Sequence, residues 1–500
     1  MGNYLYDSLI APHESSDAVF LVSDNGEELT FGAFFQATSR MSHALVKAGV
    51  GPGDRIVVQA PKTVEMVVLY AACLRAGAVF LPLNTAYTTQ ELAYFITDAD
   101  PALLICSSDR IAPLETIAKR SGARVYTLDA DGSGTLGQAA AQQQNSFETV
   151  ARGTDDLAAL LYTSGTTGRS KGAMLSHDNL LSNAQALVDL WQITDADTLL
   201  HALPIFHTHG LFVALNTALL AGTKVRFMAK FDADAIVSEL PRSTLMMGVP
   251  TFYTRLLDDA RLTRDLVTNM RLFISGSAPL LAETHAAFEQ RTGMRILERY
   301  GMTETNMITS NPVDGPRLAG TVGRPLPGTE IALTSAATGE PVEDGAVGMI
   351  EVRGPNVFKG YWNMPEKTAE ELRDTGFFIT GDLGRLTDEG YLQIVGRVKD
   401  LIISGGYNIY PKEVEDVLND IDGIVESAVF GVPHADFGEA VIAAVIMDRG
   451  LTCDTDAIQS QVAERLARFK HPRRIIPLDV LPRNTMGKVQ KNVLRAEYAT

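Results

Sequence analysis

Residues 163–172 read Thr-Ser-Gly-Thr-Thr-Gly-Arg-Ser-Lys-Gly, with three glycines, five hydroxyl side chains and two cations in ten positions. Glycine lets backbone N–H groups approach phosphate oxygens, hydroxyls donate further hydrogen bonds, and cations balance the charge. A flexible turn without a ligand is the alternative, which this density of donors and cations disfavours. The stretch is not a Walker A loop, because Ser170 stands where that pattern requires glycine. It therefore predicts a phosphate-binding loop of another kind.

The sequence around this loop alternates between strand-like and helix-like segments. A strand is predicted at residues 157–162, and a helix is predicted after the loop with Ser176 as its N-cap. Farther upstream, strands are predicted at residues 54–59, 78–83 and 102–106, helices at 64–75 and 88–98, and a surface loop or linker at 131–144. Such alternation is typical of an α/β fold with parallel strands.

The pattern changes after about residue 320. Turn signals such as Asp344-Gly345 and Glu389-Gly390 separate short β-rich runs, which predicts an antiparallel β region as far as residue 398. A further small α/β unit is predicted from residue 399, with helices at 411–420 and 455–469 and strands at 425–432 and 440–447.

The net charge and the amino-acid composition exclude several classes of binding partner. The 500 residues carry a formal charge of −17, which argues against nucleic acid or an anionic membrane as a partner. No stretch approaches the ~20 uninterrupted apolar residues of a membrane span. Three scattered cysteines are too few for a disulfide framework and suit a reducing cytosol, so we expect a cytoplasmic protein. Residues 464–500 have nine Lys or Arg against three acids, which indicates a polyphosphate site or a solvated charged face.

Four further loops are each common on protein surfaces when taken singly. They are residues 299–305 (Arg-Tyr-Gly-Met-Thr-Glu-Thr), 380–382 (Thr-Gly-Asp), 396–400 (Gly-Arg-Val-Lys-Asp) and 482–489 (Pro-Arg-Asn-Thr-Met-Gly-Lys-Val). In this order, together with residues 163–172, 274–279 (Ile-Ser-Gly-Ser-Ala-Pro) and 404–411 (Ser-Gly-Gly-Tyr-Asn-Ile-Tyr-Pro), they cover nearly the whole chain. The series resembles the motifs of the ANL adenylate-forming superfamily, which comprises acyl-CoA synthetases, adenylation domains of peptide synthetases and beetle luciferases.

The resemblance implies an α/β fold with a large N-terminal adenylate-forming domain of several subdomains and a small, mobile α+β C-terminal domain. The first domain, which binds AMP and the acyl group, would span residues 1–398 and include the β-rich region at about 320–398. The mobile domain would span residues 399–500 and rotate about Lys399 as its hinge.

The resemblance also implies ligation of a carboxylic acid to coenzyme A. The acid attacks the α-phosphate of ATP to give an acyl adenylate and pyrophosphate, and the thiol of CoA then expels AMP. Catalytic roles would fall to Lys488, Thr303, Glu304 and His207, and Mg²⁺ would be held by Glu304 and Thr166. ATP and AMP would be bound by Thr163, Ser164, Gly165, Thr166, Thr167, Gly168, Lys171, Gly276, Ser277, Ala278, Tyr300, Gly301, Met302, Asp382 and Arg397.

Within that set, the resemblance assigns Thr303 to the α-phosphate, and Asp382 and Arg397 to the ribose. Lys488 would bridge the attacking carboxylate and the α-phosphate, so its acetylation by a lysine acetyltransferase, reversed by a deacetylase, would remove the charge and stop adenylation. CoA would be bound by Gly405, Gly406, Tyr407, Lys470 and Arg473.

The acid pocket is predicted around residues 204–210 (Pro-Ile-Phe-His-Thr-His-Gly) and 248–257. The His-x-His pattern has no convincing third metal ligand, so a structural role is favoured. A buried Arg255 would need a charged partner, which the second carboxylate of a dicarboxylic acid supplies.

The strings around this pocket resemble malonyl-CoA synthetases. The resemblance implies malonate as the acid and methylmalonate as a secondary substrate. Arg255, Ser277 and His207 would bind the acid, and Met307 would limit the size of the pocket.

Three alternatives remain open from the sequence. The chain ligates another small carboxylic acid, loads a carrier protein as a stand-alone adenylation domain, or serves as a nucleotide-binding regulatory or scaffold protein without catalysis. The Asn-Ile-Tyr-Pro ending at residues 408–411 is more similar to CoA ligases and weighs against the second. Intact Glu304 and Lys488 weigh against the third.

Overall fold

The computed structural model of the chain describes residues 2–163, 170–404, 407–434, 436–484 and 487–499. It divides into two compact units. The first comprises Met1–Ala319, Gly323–Glu330 and Val352–Phe378, and the second comprises Gly320–Val322, Ile331–Glu351 and Ile379–Thr500. The predicted boundary after residue 398 falls inside the second unit, so that boundary and the hinge at Lys399 stay predictions.

The helices and strands follow in chain order. The helices are α1 (Tyr4–Leu9), α2 (Phe31–Lys47), α3 (Val64–Arg75), α4 (Thr89–Ala99), α5 (Ile111–Ser121), α6 (Thr135–Ala141), α7 (His177–Trp191), α8 (Asn216–Ala221), α9 (Ala233–Glu239), α10 (Pro250–Leu257), α11 (Ala282–Thr292), α12 (Pro365–Glu371), α13 (Pro411–Asn419), α14 (Thr455–Arg465) and α15 (Lys491–Tyr498). The strands are β1 (Val19–Ser23), β2 (Glu28–Thr30), β3 (Arg55–Gln59), β4 (Val79–Pro82), β5 (Leu103–Cys106), β6 (Arg124–Thr127), β7 (Leu157–Thr163), β8 (Lys171–Ser176), β9 (Thr198–His201), β10 (Lys224–Phe227), β11 (Leu245–Gly248), β12 (Leu272–Ser275), β13 (Leu297–Met302), β14 (Asn306–Ser310), β15 (Arg324–Pro325), β16 (Glu330–Thr334), β17 (Gly348–Arg353), β18 (Phe378–Leu386), β19 (Leu392–Arg397), β20 (Ile402–Ser404), β21 (Tyr407–Ile409), β22 (Ile424–His434), β23 (Gly438–Met447) and β24 (Arg474–Pro477).

The first unit contains two large sheets. One has nine strands in the order β15-β14-β13-β12-β11-β9-β10-β1-β2, and the other has six in the order β6-β5-β3-β4-β7-β8. Strands β3, β4, β5 and β6 pair in parallel, as the alternating sequence pattern predicts. Helix α4 begins with a capping box at Thr88 and Glu91, and its apolar residues Leu92, Phe95 and Ile96 pack in one buried cluster with the six-stranded sheet.

The second unit contains most of the four-stranded sheet β16-β17-β18-β19 and a five-stranded sheet in which β21-β20-β23-β22 is extended by β24 on β23. Strands β18 and β19 are antiparallel, which confirms the predicted antiparallel β region. Helix α13 buries Val414 and Leu418 in a cluster with the five-stranded sheet. This mixed architecture confirms the predicted fold class.

Local predictions and the structure differ at three places. Helix α14 ends at Arg465, short of the predicted residue 469, and α6 occupies part of the predicted loop at 131–144. The antiparallel strand β8, which begins at Lys171 and runs up to α7, was not predicted. Ser176 does cap α7, since its side chain accepts from the Asn179 N–H. Within the described residues, none of the helices is long and apolar enough to cross a membrane.

Candidate active site

The predicted phosphate-binding loop connects two antiparallel strands of the first unit. Thr163, at the end of β7, is the register partner of Lys171, at the start of β8, and its hydroxyl lies 3.4 Å from the Lys171 carbonyl oxygen. The other predicted loop residues, Ser164, Gly165, Thr166, Thr167 and Gly168, lie outside the described residues. The two strand ends therefore fix where this loop leaves and rejoins the sheet.

Lys171 belongs to a network of charged and phenolic groups. Its ammonium nitrogen lies 3.1 Å from both carboxylate oxygens of Glu371 and 3.0 Å from the Tyr361 hydroxyl. That hydroxyl lies 2.6 Å from Glu371 Oε2 and 3.0 Å from Glu304 Oε1. Two of the predicted site residues, Lys171 and Glu304, are thus linked through Tyr361.

Glu304 is the buried carboxyl group of this network. Burial raises its pKa, although its backbone hydrogen bond and the charge of Lys171 act in the opposite direction. A bound cation stabilises the charged form of a buried carboxylate. Mg²⁺ prefers hard oxygen ligands, which include one or two carboxylates together with substrate phosphates. The donor chemistry therefore fits Mg²⁺. The described residues contain no group of three or more His, Cys, Asp or Glu side chains arranged around a metal, and such a group is not needed for a phosphate-bound Mg²⁺.

The motif around Glu304 lies on the antiparallel pair β13 and β14. Tyr300, Gly301 and Met302 occupy the end of β13, and Met307 lies on β14, where it is 1% exposed. A Cβ atom on Gly301 would lie 2.0 Å from the Asn306 carbonyl oxygen, so only glycine fits there. The tight pairing places the predicted ATP-binding residues of β13 and the predicted pocket-limiting Met307 on one hairpin, with Thr303 in its turn.

Arg299 is the first residue of this motif, and the sequence alone predicted no individual role for it. It is 4% exposed, and its Nε and Nη2 atoms make no hydrogen bond within the described structure. Burial lowers the pKa of Arg299 to about 9. A buried guanidinium with unsatisfied donors is costly unless an anion binds to it. The available sequence signal was an arginine within a strand that continues into the Tyr-Gly-Met-Thr-Glu motif.

The 275–278 turn lies directly against Arg299. A Cβ atom on Gly276 would lie 2.4 Å from Arg299 Cζ, so this glycine makes room for the guanidinium. Ser277, next in the chain, has φ +72°, in the left-handed region that is uncommon for residues other than glycine. Ala278 follows, half-buried. The predicted nucleotide-binding turn is therefore also the wall beside the buried arginine.

Two histidines follow β9, and the structure distinguishes them. His207, the predicted pocket residue, is half-buried, whereas His209 is buried with Nδ1 at 3.2 Å from the Ser277 hydroxyl. Burial, reinforced by the charge of Arg299, lowers the pKa of His209 well below its ordinary value. Several buried polar atoms in this region have no hydrogen bond to any described residue: Thr208 Oγ1, His209 Nε2, Ser275 Oγ, Arg299 Nε and Arg299 Nη2. Such a concentration of unsatisfied donors and acceptors is what a polar ligand would complete.

The prediction that Arg255 is buried is wrong. Its side chain is exposed on α10, with the guanidinium carbon 5.8 Å from the centre of the Phe231 ring. Helix α10 instead buries Phe252, Tyr253 and Leu256, so its inward positions are filled by apolar side chains. The physical argument for a dicarboxylate therefore transfers from Arg255 to Arg299.

The second unit brings together its own predicted residues. Asp382 and Arg397 are register partners on β18 and β19, and Asp382 Oδ1 lies 2.6 Å from Arg397 Nε. Burial and the positive charge of Arg397 lower the pKa of Lys488 to about 8, against the opposing charges of Asp382 and Asp400. The predicted ribose-binding pair and the predicted catalytic lysine thus share one electrostatic environment. Lys399, the predicted hinge, is exposed.

The predicted CoA-binding residues lie elsewhere in this unit. Tyr407 is 56% exposed and stacks on Phe469 with ring centres 4.4 Å apart. Lys470 Nζ lies 2.5 Å from Glu413 Oε1, and the Arg473 guanidinium carbon lies 4.1 Å from the centre of the Phe437 ring. Gly405 and Gly406 lie outside the described residues.

Comparison with known proteins defines the family. The AMP-binding enzyme model matches residues 11–362, and the AMP-binding enzyme C-terminal domain model matches residues 413–488. The chain belongs to the AMP-binding enzyme family. It is 34% identical to the malonate–CoA ligase of Arabidopsis thaliana, over 96% of this chain and 86% of that protein. It is 35% identical to a feruloyl-CoA synthase of an Amycolatopsis species, over 98% and 97% of the two chains.

A solved structure resembles this chain closely. ATP-bound MatB from Rhodopseudomonas palustris superimposes with a TM-score of 0.98 at 54% identity, over 100% of this chain and 99% of that one. These relationships make the chain an AMP-forming acid–CoA ligase that uses ATP, Mg²⁺ and CoA and forms an acyl adenylate.

Proposed function

We propose that this ligase joins malonate to CoA through a malonyl-adenylate, releasing AMP and pyrophosphate. One observation carries the choice of acid: Arg299 is a buried cation whose Nε and Nη2 donors have no hydrogen-bond partner among the residues that the structure describes. A monocarboxylic acid uses its only carboxylate in the reaction and leaves that cation uncompensated. A short dicarboxylic acid reacts at one end and pairs with Arg299 at the other.

The other residues around Arg299 support a small, polar acid. Ser277 and His209 supply a hydroxyl and an imidazole beside the guanidinium, and buried Met307 limits the space. Methylmalonate differs from malonate by one methyl group, which a pocket discriminates weakly, so we propose it as a secondary substrate.

We assign the roles in the activation step as the family resemblance implies. Thr303 would contact the α-phosphate, Glu304 and Thr166 would hold Mg²⁺, and Lys488 would bridge the acid and the α-phosphate. A metal ion held there would neutralise phosphate charge. Asp382 and Arg397 hold the ribose.

The step with CoA is proposed to follow rotation of the residues after Lys399. The 404–408 loop, Lys470 and Arg473 then serve the thiol substrate. Acetylation of Lys488 would remove its charge and stop the first step. A cytoplasmic location remains a prediction from the sequence.

A substrate panel tests the proposal. Pyrophosphate release is measured with malonate, methylmalonate, oxalate, acetate, octanoate and benzoate, each with CoA. We expect malonate to give the highest kcat/KM. If octanoate, benzoate or acetate exceeds it, the malonate assignment fails. Product mass spectrometry with CoA and with a phosphopantetheinyl carrier protein separates the ligase from a carrier-loading enzyme.

Two variants test the role of Arg299. Arg299→Met should reduce kcat/KM for malonate by roughly 100-fold, because the distal carboxylate loses its charged partner. Arg255→Met removes an exposed arginine and serves as the matched control, expected to stay within about twofold of wild type. If Arg299→Met keeps full malonate activity, the dicarboxylate argument fails.

A further inference from the structure

Lys62, in the first unit, has no catalytic or binding role in the proposed function, yet its ammonium group makes several specific contacts. Its ammonium nitrogen lies 3.1 Å from His201 Nδ1 and 3.0 Å from the His201 carbonyl oxygen. It also lies 4.4 Å from the centre of the Phe227 ring, within the range of a cation–π contact. A lysine held by three groups in this way has a fixed position.

His201 continues the line of hydrogen bonds. Its Nε2 atom lies 2.9 Å from the Gly210 carbonyl oxygen, which can only accept, so Nε2 carries the hydrogen and Nδ1 accepts from Lys62. The ring is 1% exposed. Burial, reinforced by the charge of Lys62, lowers the pKa of His201 well below its ordinary value, which keeps the imidazole neutral. Lys62 thus holds the tautomer that donates to Gly210.

Gly210 closes the 204–210 segment. A Cβ atom there would lie 2.1 Å from the Pro204 carbonyl oxygen, so the segment folds back tightly on itself. A π-helix, His209–Leu215, begins at the same point, and π-helical turns are frequent at functional sites. The residue before Gly210 is His209, whose Nδ1 lies 3.2 Å from the Ser277 hydroxyl. The orientation of the Gly210 peptide therefore affects the position of His209 and of its contact with Ser277, next to Arg299.

We infer that Lys62 and His201 are positioning residues for the acid pocket: Lys62 fixes the His201 tautomer, and His201 fixes the segment that carries Thr208 and His209. The inference rests on the proposed function in one respect, that this segment lines the acid site. It assigns the pair to acid binding through His209, and we expect ATP binding to change little in their variants.

Steady-state kinetics separate a positioning role from a purely structural one. Lys62→Met and His201→Leu each interrupt the hydrogen bonds from Lys62 through His201 to Gly210. Each should raise KM for the acid by roughly tenfold, while KM for ATP stays within about twofold of wild type. His201→Gln retains a donor for Gly210 and an acceptor for Lys62, and should recover acid KM to within about threefold of wild type. Lys230→Met removes an exposed lysine three residues after Phe227 and is the matched control.

The outcomes are distinct. Unchanged acid KM in the variants that break the line, with only a lower melting temperature, overturns the inference. Parallel increases of acid and ATP KM also overturn it. Either Lys62→Met or His201→Leu is sufficient for the decision if the other does not fold.

Nitrogen NMR of the histidine rings gives a readout that is independent of activity. The signals of His201, assigned by their loss in His201→Gln, should show the Nε2–H tautomer in wild type and a changed Nδ1 shift in Lys62→Met. An unchanged His201 spectrum in Lys62→Met overturns the role of Lys62. If wild type does not use malonate, the proposed substrate fails, and the KM comparison is made with the fastest acid of the panel.

Discussion

Lys171 Nζ lies 3.1 Å from both carboxylate oxygens of Glu371. Burial opposes charge on this carboxyl group, but hydrogen bonds from Tyr361, Lys367 and Lys171 outweigh it and lower the pKa of Glu371. The cation assigned to ATP phosphate is therefore bound to an anion of its own unit. Phosphate binding requires Lys171 to exchange one anion for another, or to share both.

Replacing Glu371 with a neutral residue should increase the stabilisation of the folded protein by ATP. Glu371→Gln leaves a half-buried Lys171 without its carboxylate and should lower the free energy of unfolding by about 1–2 kcal/mol. ATP then supplies the missing anion, so the ATP-induced rise in melting temperature should exceed that of wild type. Differential scanning fluorimetry with and without ATP measures both effects.

Glu370→Gln is the control for this experiment. Glu370 pairs with Lys367 at 2.7 Å, and its side chain is 64% exposed. We expect little change in either stability or ATP response. Equal ATP-induced shifts in Glu371→Gln and wild type would contradict anion exchange at Lys171.

The pH profile of the first half-reaction should report Lys488. Its pKa is lowered to about 8 by burial and by Arg397, so the ammonium is present below pH 8 and lost above it. If the charged form bridges acid and phosphate, kcat/KM for malonate-dependent ATP–pyrophosphate exchange should fall as pH rises through about 8. Lys488→Arg stays charged and should remove that alkaline decline, at a lower maximal rate. A flat wild-type profile between pH 7 and 9 would contradict the assignment.

Charge removal at Lys488 should separate the two half-reactions. Lys488→Gln imitates the acetylated side chain and should slow adenylation by roughly 100-fold or more, since a positioned charge is lost. CoA transfer from synthetic malonyl-adenylate should remain within about threefold of wild type. Lys491→Gln is the control, because Lys491 pairs with Glu415 at 2.6 Å and has no assigned role. Loss of both half-reactions in Lys488→Gln would count against this division.

Gly276 and Arg299 should be energetically coupled. Alanine at 276 places a Cβ atom 2.4 Å from Arg299 Cζ, so Gly276→Ala should displace the guanidinium and raise malonate KM at least fivefold. In an Arg299→Met background the same change should cost less, because the displaced group is absent. A double-mutant cycle on malonate kcat/KM measures the coupling. Additive effects would show that Gly276 acts independently of Arg299.

Local sequence patterns correctly predicted helices and strands that are stabilised by interactions between residues close together in the sequence. Helix α3 spans Val64–Arg75 as predicted, with the Thr63 side chain accepting from the Met66 N–H. Strand β8 was missed because Lys171–Ser176 includes a glycine and gains its strand conformation from pairing with β7. Pairing across a loop is a tertiary property that a linear pattern does not contain.

The proposed acid site shows the same contrast between features that a local sequence pattern predicts and features that depend on tertiary structure. Motif order predicted roles for Thr303, Glu304 and Lys488, since those residues occupy fixed places in a series. Arg255 and Arg299 differ in burial, and burial depends on which neighbours surround each element. Arg299 is accommodated by the absence of a side chain at Gly276, twenty-three positions earlier in the sequence. That relationship appears only when β12 and β13 are placed side by side.

The backbone at Ser277 has a consequence for engineering. A left-handed conformation costs a residue with a Cβ atom about 1–2 kcal/mol, and glycine would adopt φ +72° without that strain. The chain nevertheless carries a hydroxyl there, 3.2 Å from His209 Nδ1. If Ser277 binds the acid as proposed, thermostability and activity oppose each other at this position. Selection for more stable variants would then favour glycine at 277 and weaken binding of the acid.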